Sequence, residues 1–428
     1  MDRKRVLIIC YYWPPAGGPG VQRWLKFVKY FREFGVEPVV FVPENAHYPL
    51  LDEGFSAEVP NDIEIIKFPI KEPYKFAKWF SKKKTRAMSS GVFSEKKPIL
   101  LEKIMLYIRG NWFIPDARVG WVPPSVKFLT KYLEDQGIST VITTGPPHSL
   151  HLIGLQLKKK LGIQWISDFR DPWTTIHYHK SLRLTKASEK RHKQLEREVL
   201  TTADHVVVTS PHTKKEFSEI TKKPITVITN GYDASEEIVP KLDTKFSLVH
   251  VGSLMSQRNP VVLWEVVRDL CAENEAFKNS FELKLIGTVS MEIQKSLLEY
   301  ELTSYTRMDG YVSHTEALQA QHDAQLLLLI EMDLPETRAI IPGKLFEYLR
   351  ARRPIVAIGP EGSDIKTILD ETHSGHFFSY SEKEALKSHL LGCFEAYQRG
   401  ELVSHSENIE KYSRRELTKS MTELLKEV

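Results

Sequence analysis

Short runs of β-branched and aliphatic residues alternate with helical stretches along the whole chain, and that alternation leaves few folds open. A strand, a crossover helix and another strand form the unit of a parallel sheet. Arg5 to Cys10 reads as a first buried strand, followed by a loop and an amphipathic helix over about Val21 to Phe34. Pro38 to Val42, Val141 to Thr143, Gln164 to Ser167, His205 to Thr209 and Ile225 to Ile228 continue the series, six strands for one sheet. The cycle restarts at Phe246 to Val251, with a helix over about Pro260 to Asn274 and strands at Leu283 to Ile286, Thr306 to Gly310, Gln325 to Ile330 and Pro354 to Ile358. A second sheet follows. The 428 residues suit two domains, expected at 1–238 and 239–405, with a polar linker over Asp233 to Thr244 and a last helical segment, 406–428, returning to the first domain.

Composition narrows the class. With 42% hydrophobic and 27% charged residues the chain is a globular one, and no apolar run reaches the roughly 20 residues of a membrane span, so a cytoplasmic location is expected. Cys10, Cys271 and Cys393 are scattered, have no zinc spacing and read as small buried hydrophobes, so no metal site is expected. A net charge of +4 does not call for nucleic acid. Its distribution says more: in an insertion over about 71–113, lysines and arginines including Lys71, Lys82, Lys83, Lys84, Arg86, Lys103 and Arg109 interleave with Tyr74, Trp79, Phe80, Tyr107 and Trp112. That mixture suits either an anionic membrane surface or a solvated insertion with aromatics packed on the core.

Three places carry chemistry. Gly17, Gly18 and Gly20 lie in the turn between the first strand and its helix, where bare backbone admits a phosphate or sugar; Glu44, beyond the second strand, keeps a nicotinamide-binding alternative open, and a purely structural turn is a third reading. After the third and fourth expected strands come Thr144-Gly145-Pro146-Pro147-His148 and Asp168-Phe169-Arg170-Asp171-Pro172-Trp173, so His148, Arg170 and Asp171 converge beyond strand ends, unless the histidine merely caps its helix. Pro342 and Gly343 start a helix that puts Lys344 in its first turn and Glu347 one position row deeper, a lysine for a diphosphate and a carboxylate for ribose hydroxyls, with a plain salt bridge as the alternative.

These pieces, in this order, resemble the family 4 glycosyltransferases. Thr229-Asn230-Gly231-Tyr232-Asp233 looks like the family's signature before the linker; His250-Val251-Gly252, Gly310-Tyr311-Val312-Ser313-His314 and Lys344 to Pro354 follow in family order. The resemblance implies the GT-B fold, an α/β architecture of two Rossmann-like domains facing a cleft, and retaining transfer of a hexosyl group from a nucleotide diphosphate sugar. No cofactor beyond that substrate is expected, and no metal, since two cations can serve the leaving diphosphate. By it Glu347 takes the ribose; Tyr311 and Val312 lie beside the base; Gly17, Gly18 and Gly20 face the donor phosphates or the acceptor. The chain departs from the family at Ala339, where a sugar-binding glutamate is expected with only Glu331 and Glu336 nearby, and at Ser253, which replaces a phosphate-binding arginine after Gly252. The diphosphate is therefore assigned to Arg258 and Lys344, beside Gly252, Ser253 and Gly343, and catalytic roles to Asp171, Arg170 and His148. The expected partners are a nucleotide sugar, a sugar or lipid-linked acceptor in bacterial cell-surface polysaccharide or glycolipid synthesis, and the inner face of the cell membrane through 71–113. Two alternatives stand: a sugar-nucleotide epimerase of the same architecture, and a non-catalytic membrane-associated binding protein.

Overall fold

The computed structural model describes residues 3–48, 50–72, 100–233 and 238–427. The chain divides into two compact units, Met1–Thr229 with Arg414–Val428, and Asn230–Ser413. The sequence reading put this division at 238/239 and the returning segment at 406. Most of the basic insertion, residues 73–99, and 234–237 of the linker lie outside the described residues.

The first unit is a sheet of strands β1 (Lys4–Ile9), β2 (Val36–Pro43), β3 (Glu64–Phe68), β4 (Thr140–Gly145), β5 (Gln164–Phe169), β6 (His205–Val208) and β7 (Ile225–Val227), in the order β3-β2-β1-β4-β5-β6-β7. Every pairing is parallel. Seven strands stand where six were expected. The extra one, β3, reads Glu-Ile-Ile-Lys-Phe, and its charges hide it from a hydrophobicity pattern because it is an edge strand paired only with β2. Its Glu64 instead meets Arg5 of β1 at 2.7 Å.

Alternate residues of β1 serve opposite faces: Leu7 and Ile9 join one apolar cluster with Trp121 and Trp165, and Val6 and Ile8 join another with Trp24 and Val28. Both faces are therefore buried, as a parallel sheet requires. The second face is covered by the helix Pro19–Phe31, whose Val21, Trp24, Leu25 and Val28 form one apolar stripe. Proline opens that helix; Gly35, at φ 80°, closes the short turn after it. The returning helix Arg414–Glu427 adds Leu417, Met421, Leu424 and Leu425 to the same cluster.

The second unit repeats the plan with β8 (Phe246–Val251), β9 (Phe281–Ile286), β10 (Thr306–Gly310), β11 (Leu326–Ile330), β12 (Ile355–Gly359) and β13 (Gly375–Ser379), parallel in the order β10-β9-β8-β11-β12-β13. Here too an edge strand, β13, escaped the sequence reading, since only Phe378 of its five residues is buried. In each sheet the strand order reverses once, between β1 and β4 and between β8 and β11. Loops leaving the carboxyl ends diverge there and open a crevice where ligands of such sheets bind.

Candidate functional site

At the first reversal the glycine loop follows β1. In it Gly17 N–H donates to Leu50 O (2.9 Å), and a Cβ on Gly17 would stand 2.9 Å from the Leu50 side chain. A Cβ on Gly20 would stand 2.4 Å from Arg170 Nη1, so the guanidinium occupies the space that the missing side chain leaves. Gly18 sits at φ +89°, a conformation that glycine adopts without strain. Glu44 is exposed and its N–H donates to Phe68 O, beside β3.

The turn after β4 carries His148. The histidine does not cap its helix; Asp116 does, accepting from Ser149 N (2.9 Å) and Ser149 Oγ (2.8 Å). The His148 ring is buried and lies flat on Trp173, centroids 5.0 Å apart and 3° between planes. Burial, then the neighbouring His151 and Arg170, push its pKa well below the ordinary histidine value, so it is a neutral imidazole at neutral pH. Its Nδ1 is buried with no hydrogen-bond partner among the described residues. His151, whose pKa burial drives down to about 3, is likewise neutral and is held by Thr143 Oγ1 at 2.9 Å.

The Asp-Arg-Asp cluster after β5 splits in two. Asp168, fully buried, accepts from Arg23 Nε (3.1 Å) and Nη2 (2.7 Å), Trp24 Nε1 (2.9 Å) and Thr144 Oγ1 (2.9 Å); Arg23 also donates to Thr229 O (2.8 Å). Both carboxylate oxygens accept inside the fold, three bonds on Oδ2 and one on Oδ1, which ties Asp168 to the packing of the first unit. Arg170 and Asp171 follow the strand end, half-buried, with Arg170 Nη2 3.4 Å from Asp171 Oδ2 and its guanidinium 6.0 Å from the Tyr12 ring centroid. A second buried pair lies in the insertion's described edge: Glu72 meets Arg118 at 3.2 Å and accepts from Tyr11 Oη at 2.7 Å.

At the second reversal the residues are cationic. Lys344 stands in the first turn of the helix Gly343–Ala351, which has no side-chain cap and no acid in that turn. Its Nζ lies 3.2 Å from His250 Nε2 on β8, and a Cβ on Gly252, at φ +110°, would come within 2.7 Å of the same nitrogen. Burial, then Arg258, lower the Lys344 pKa to about 8 against the opposing pull of Glu331 and Glu347. Arg258, in the turn after β8, meets Glu331 at 3.0 Å; Glu331 directly follows β11 and is fully buried. Glu347, a turn deeper on the Lys344 helix, accepts from Gln321 Nε2 at 3.0 Å. Tyr348 locks the frame: its Oη accepts from Val251 N (2.9 Å) and donates to Leu328 O (3.4 Å), tying the helix to β8 and β11.

The fold thus brings Gly252, Arg258, Lys344 and Glu347 to the end of one sheet. Ser253 follows Gly252 in the same turn, and Gly343 is exposed with open space around its Cα. Beyond β10, Tyr311 is 94% exposed while Val312 packs on the core of the second unit. Sequence reasoning missed three residues here, His250, Glu331 as the partner of Arg258, and Gln321. The signal for two of them was a polar side chain closing an apolar run, since Glu331 follows Leu326–Ile330 and His250 interrupts Phe246–Val251. Among the described residues no group of three or more His, Cys, Asp and Glu is arranged to hold a metal ion, and no helix is long and apolar enough to cross a membrane.

Two parallel α/β units with these reversals are the GT-B architecture of glycosyltransferase structures. Residues 92–236 match Glycosyltransferase Family 4, a stretch that holds His148, Arg170 and Asp171 and stops short of β8. No curated protein sequence matches significantly. Sucrose-phosphate synthase from Thermosynechococcus elongatus is similar in fold at 14% identity and TM-score 0.63, with 99% of each chain covered. HepE from Anabaena in complex with UDP is similar at 12% identity and TM-score 0.63, covering 99% of this chain and 100% of that one. The lipopolysaccharide outer core galactosyltransferase WaaB is similar at 14% identity and TM-score 0.57, covering 99% and 100%.

Proposed function

We propose that the chain is a glycosyltransferase, moving a hexosyl group with retention from a nucleotide diphosphate sugar held by the second unit to an acceptor held by the first. The observation that carries this is the grouping of Lys344, Arg258 and Glu347 at the carboxyl end of β8 and β11, on an uncapped helix N-terminus. The match of 92–236 to Glycosyltransferase Family 4 and the UDP in the similar HepE structure support it.

In this reading the bond from the anomeric carbon to the diphosphate breaks as the acceptor oxygen bonds to that carbon, negative charge builds on the departing oxygens, and the acceptor's hydroxyl proton passes to the diphosphate. The Lys344 ammonium and the Arg258 edge outside its Glu331 pair stabilise that charge, both being held in place before the reaction. Two cations perform this without a divalent ion, so turnover is expected to survive a chelator. Glu347 accepts from the ribose hydroxyls, with Tyr311 and Val312 on the side of the base. On the first unit, neutral His148 accepts a hydrogen bond from the acceptor hydroxyl while Arg170 and Asp171 orient it.

The partner we assign to the first unit is an anionic membrane surface at the cytoplasmic face, and a lipid-linked acceptor in cell-surface polysaccharide or glycolipid synthesis, in keeping with the similar WaaB. On the helix Leu100–Trp112, Ile104, Tyr107 and Trp112 are exposed, Trp112 at 75%. Asn111 ties this helix to the Arg183–Thr185 backbone, which brings exposed Arg183, Lys186, Lys190 and Arg191 alongside. Apolar side chains beside cations fit anionic headgroups.

The test is calorimetry with a panel of nucleotide sugars on the wild-type chain and Glu347→Ala, with product analysis of each donor. Binding that weakens in the variant and a sugar passed to an added acceptor are expected. An epimerised donor with no acceptor requirement would replace the transferase reading by the epimerase one, and absence of binding to any donor would overturn both.

A further inference from the structure

The second site contains a histidine to which no role has been given. His250 is fully buried in β8, and its two ring nitrogens face different partners: Nδ1 lies 2.9 Å from Leu328 O and Nε2 lies 3.2 Å from Lys344 Nζ. A carbonyl oxygen only accepts, so the ring proton belongs on Nδ1, and Nε2 presents a lone pair to the lysine. A neutral imidazole is the only form compatible with this crowd. Burial, then Lys344, hold the His250 pKa well below its ordinary value, with Arg258 acting in the same direction; the backbone of Leu328 and of Ser253 pulls the other way and is outweighed.

A lysine has four rotatable bonds, and an ammonium left loose at a sheet mouth loses much of its freedom on meeting a ligand. Here three features remove that freedom beforehand. The His250 lone pair takes one ammonium proton; Gly252 offers no Cβ where Nζ lies; and Tyr348, one turn along the same helix, is bonded to β8 and β11. The remaining protons of Nζ are then aimed by the protein.

We propose that His250 is a positioning residue: its Nε2 lone pair anchors the Lys344 ammonium over Gly252, so that an entering nucleoside diphosphate meets an ammonium already in place. This rests on the reading of Lys344 as the diphosphate ligand. Groups facing Lys344 are His250 on β8, Arg258 in the turn after it, Glu331 after β11, and Glu347 on its own helix.

Two substitutions separate anchoring from mere packing. In His250→Asn the amide reaches the place of Nδ1 and keeps the Leu328 bond while the lysine loses its acceptor; in His250→Gln the amide oxygen reaches the place of Nε2 and keeps the lysine. With UDP as probe, we expect His250→Asn to weaken binding roughly tenfold, the equivalent of about 1.4 kcal/mol, and His250→Gln to stay within about threefold of wild type. A purely structural histidine gives the reverse order, with His250→Gln the poorer in both melting temperature and binding, and that order overturns the proposal. Long-range proton–nitrogen NMR of the wild-type chain is the second measurement: a proton on Nδ1 is expected, and a proton on Nε2 overturns the anchor whatever the variants do. Lys344→Ala is the control that keeps the two readings apart. If it binds UDP as wild type does, the diphosphate site itself is wrong; if it loses binding while His250→Asn does not, only the anchor is wrong.

Discussion

The two sheet reversals have the same topology and opposite electrostatic character. Between β1 and β4 the charges are turned inward: Asp168 and Arg23 neutralise each other at 0% and 1% side-chain exposure, and His148 and His151 are kept neutral by burial. Between β8 and β11 one carboxylate, Glu331, is spent on Arg258, and Lys344 keeps its charge beside a neutral histidine. The lesson is that the crevice supplies the place and the local charge balance selects the ligand. On the function proposed above, that balance matches a neutral hydroxyl to the first site and a diphosphate to the second.

The largest expected effect lies in the first site. Replacing Asp168 by Ala leaves Arg23 buried without its carboxylate, which costs about 3–5 kcal/mol and lowers the melting temperature of the first unit by about 10 °C. Unfolding followed by Trp fluorescence measures it, and a stability equal to wild type would mean that the pair is not the lock described. UDP binding is expected to persist below that melting temperature, because no residue of the second site is touched.

In the second site the sign reverses. Lys344 is protonated in the unfolded chain up to the ordinary lysine value of 10.5 but in the fold only to about 8, so between those values the unfolded state holds the extra proton and stability rises with pH. At neutral pH the buried ammonium is a burden on the fold. Lys344→Met should therefore raise the melting temperature at pH 7 while weakening UDP binding on the order of 100-fold, or about 3 kcal/mol. A variant that is both less stable and unimpaired in binding would remove the functional reading of that burden.

The third expectation concerns pH. UDP affinity should fall as pH rises through about 8, the value set for Lys344 by burial, approaching a tenfold loss per unit above it. His148 and His250, both pushed far below the ordinary histidine range, contribute no step between pH 6 and 8. Calorimetry across pH 6.5 to 9.5 tests this, and a flat profile breaks the contrast between the two sites.

The smallest effects come from the glycines that flank each site. Gly252→Ala puts a Cβ within 2.7 Å of Lys344 Nζ at a positive φ and should weaken UDP about tenfold. Gly20→Ala meets the end of the Arg170 side chain, which moves aside at little cost, and approaches Tyr12 Cδ2 to 3.3 Å, so less than a threefold change in donor binding is expected. Equal effects from both would show that the first loop holds the donor as tightly as the second site does.

Sequence alone made the two sheets legible wherever a strand was central, because a strand buried on both faces is a plain apolar run. It missed β3 and β13, edge strands with Glu64 and Lys67 in one and a mostly half-exposed Gly-His-Phe-Phe-Ser in the other. Lys344 and Glu347 were legible through the Pro-Gly helix start. His250 and the Arg258–Glu331 pair were not, since what matters is a contact across about 70 to 95 positions of chain that no local pattern encodes. The neighbours of the glycine loop were hidden for the same reason: Leu50 and Arg170, which pack against it, lie far along the chain.

The helix Arg414–Glu427 belongs to the first unit although it is synthesised after all of the second. On the ribosome, then, residues up to Thr229 emerge with the apolar stripe of Pro19–Phe31 still waiting for Leu417, Met421, Leu424 and Leu425. The second unit, whose residues 230–413 are contiguous, is able to complete its own core first, and the earlier-made half must stay receptive until translation reaches that final segment.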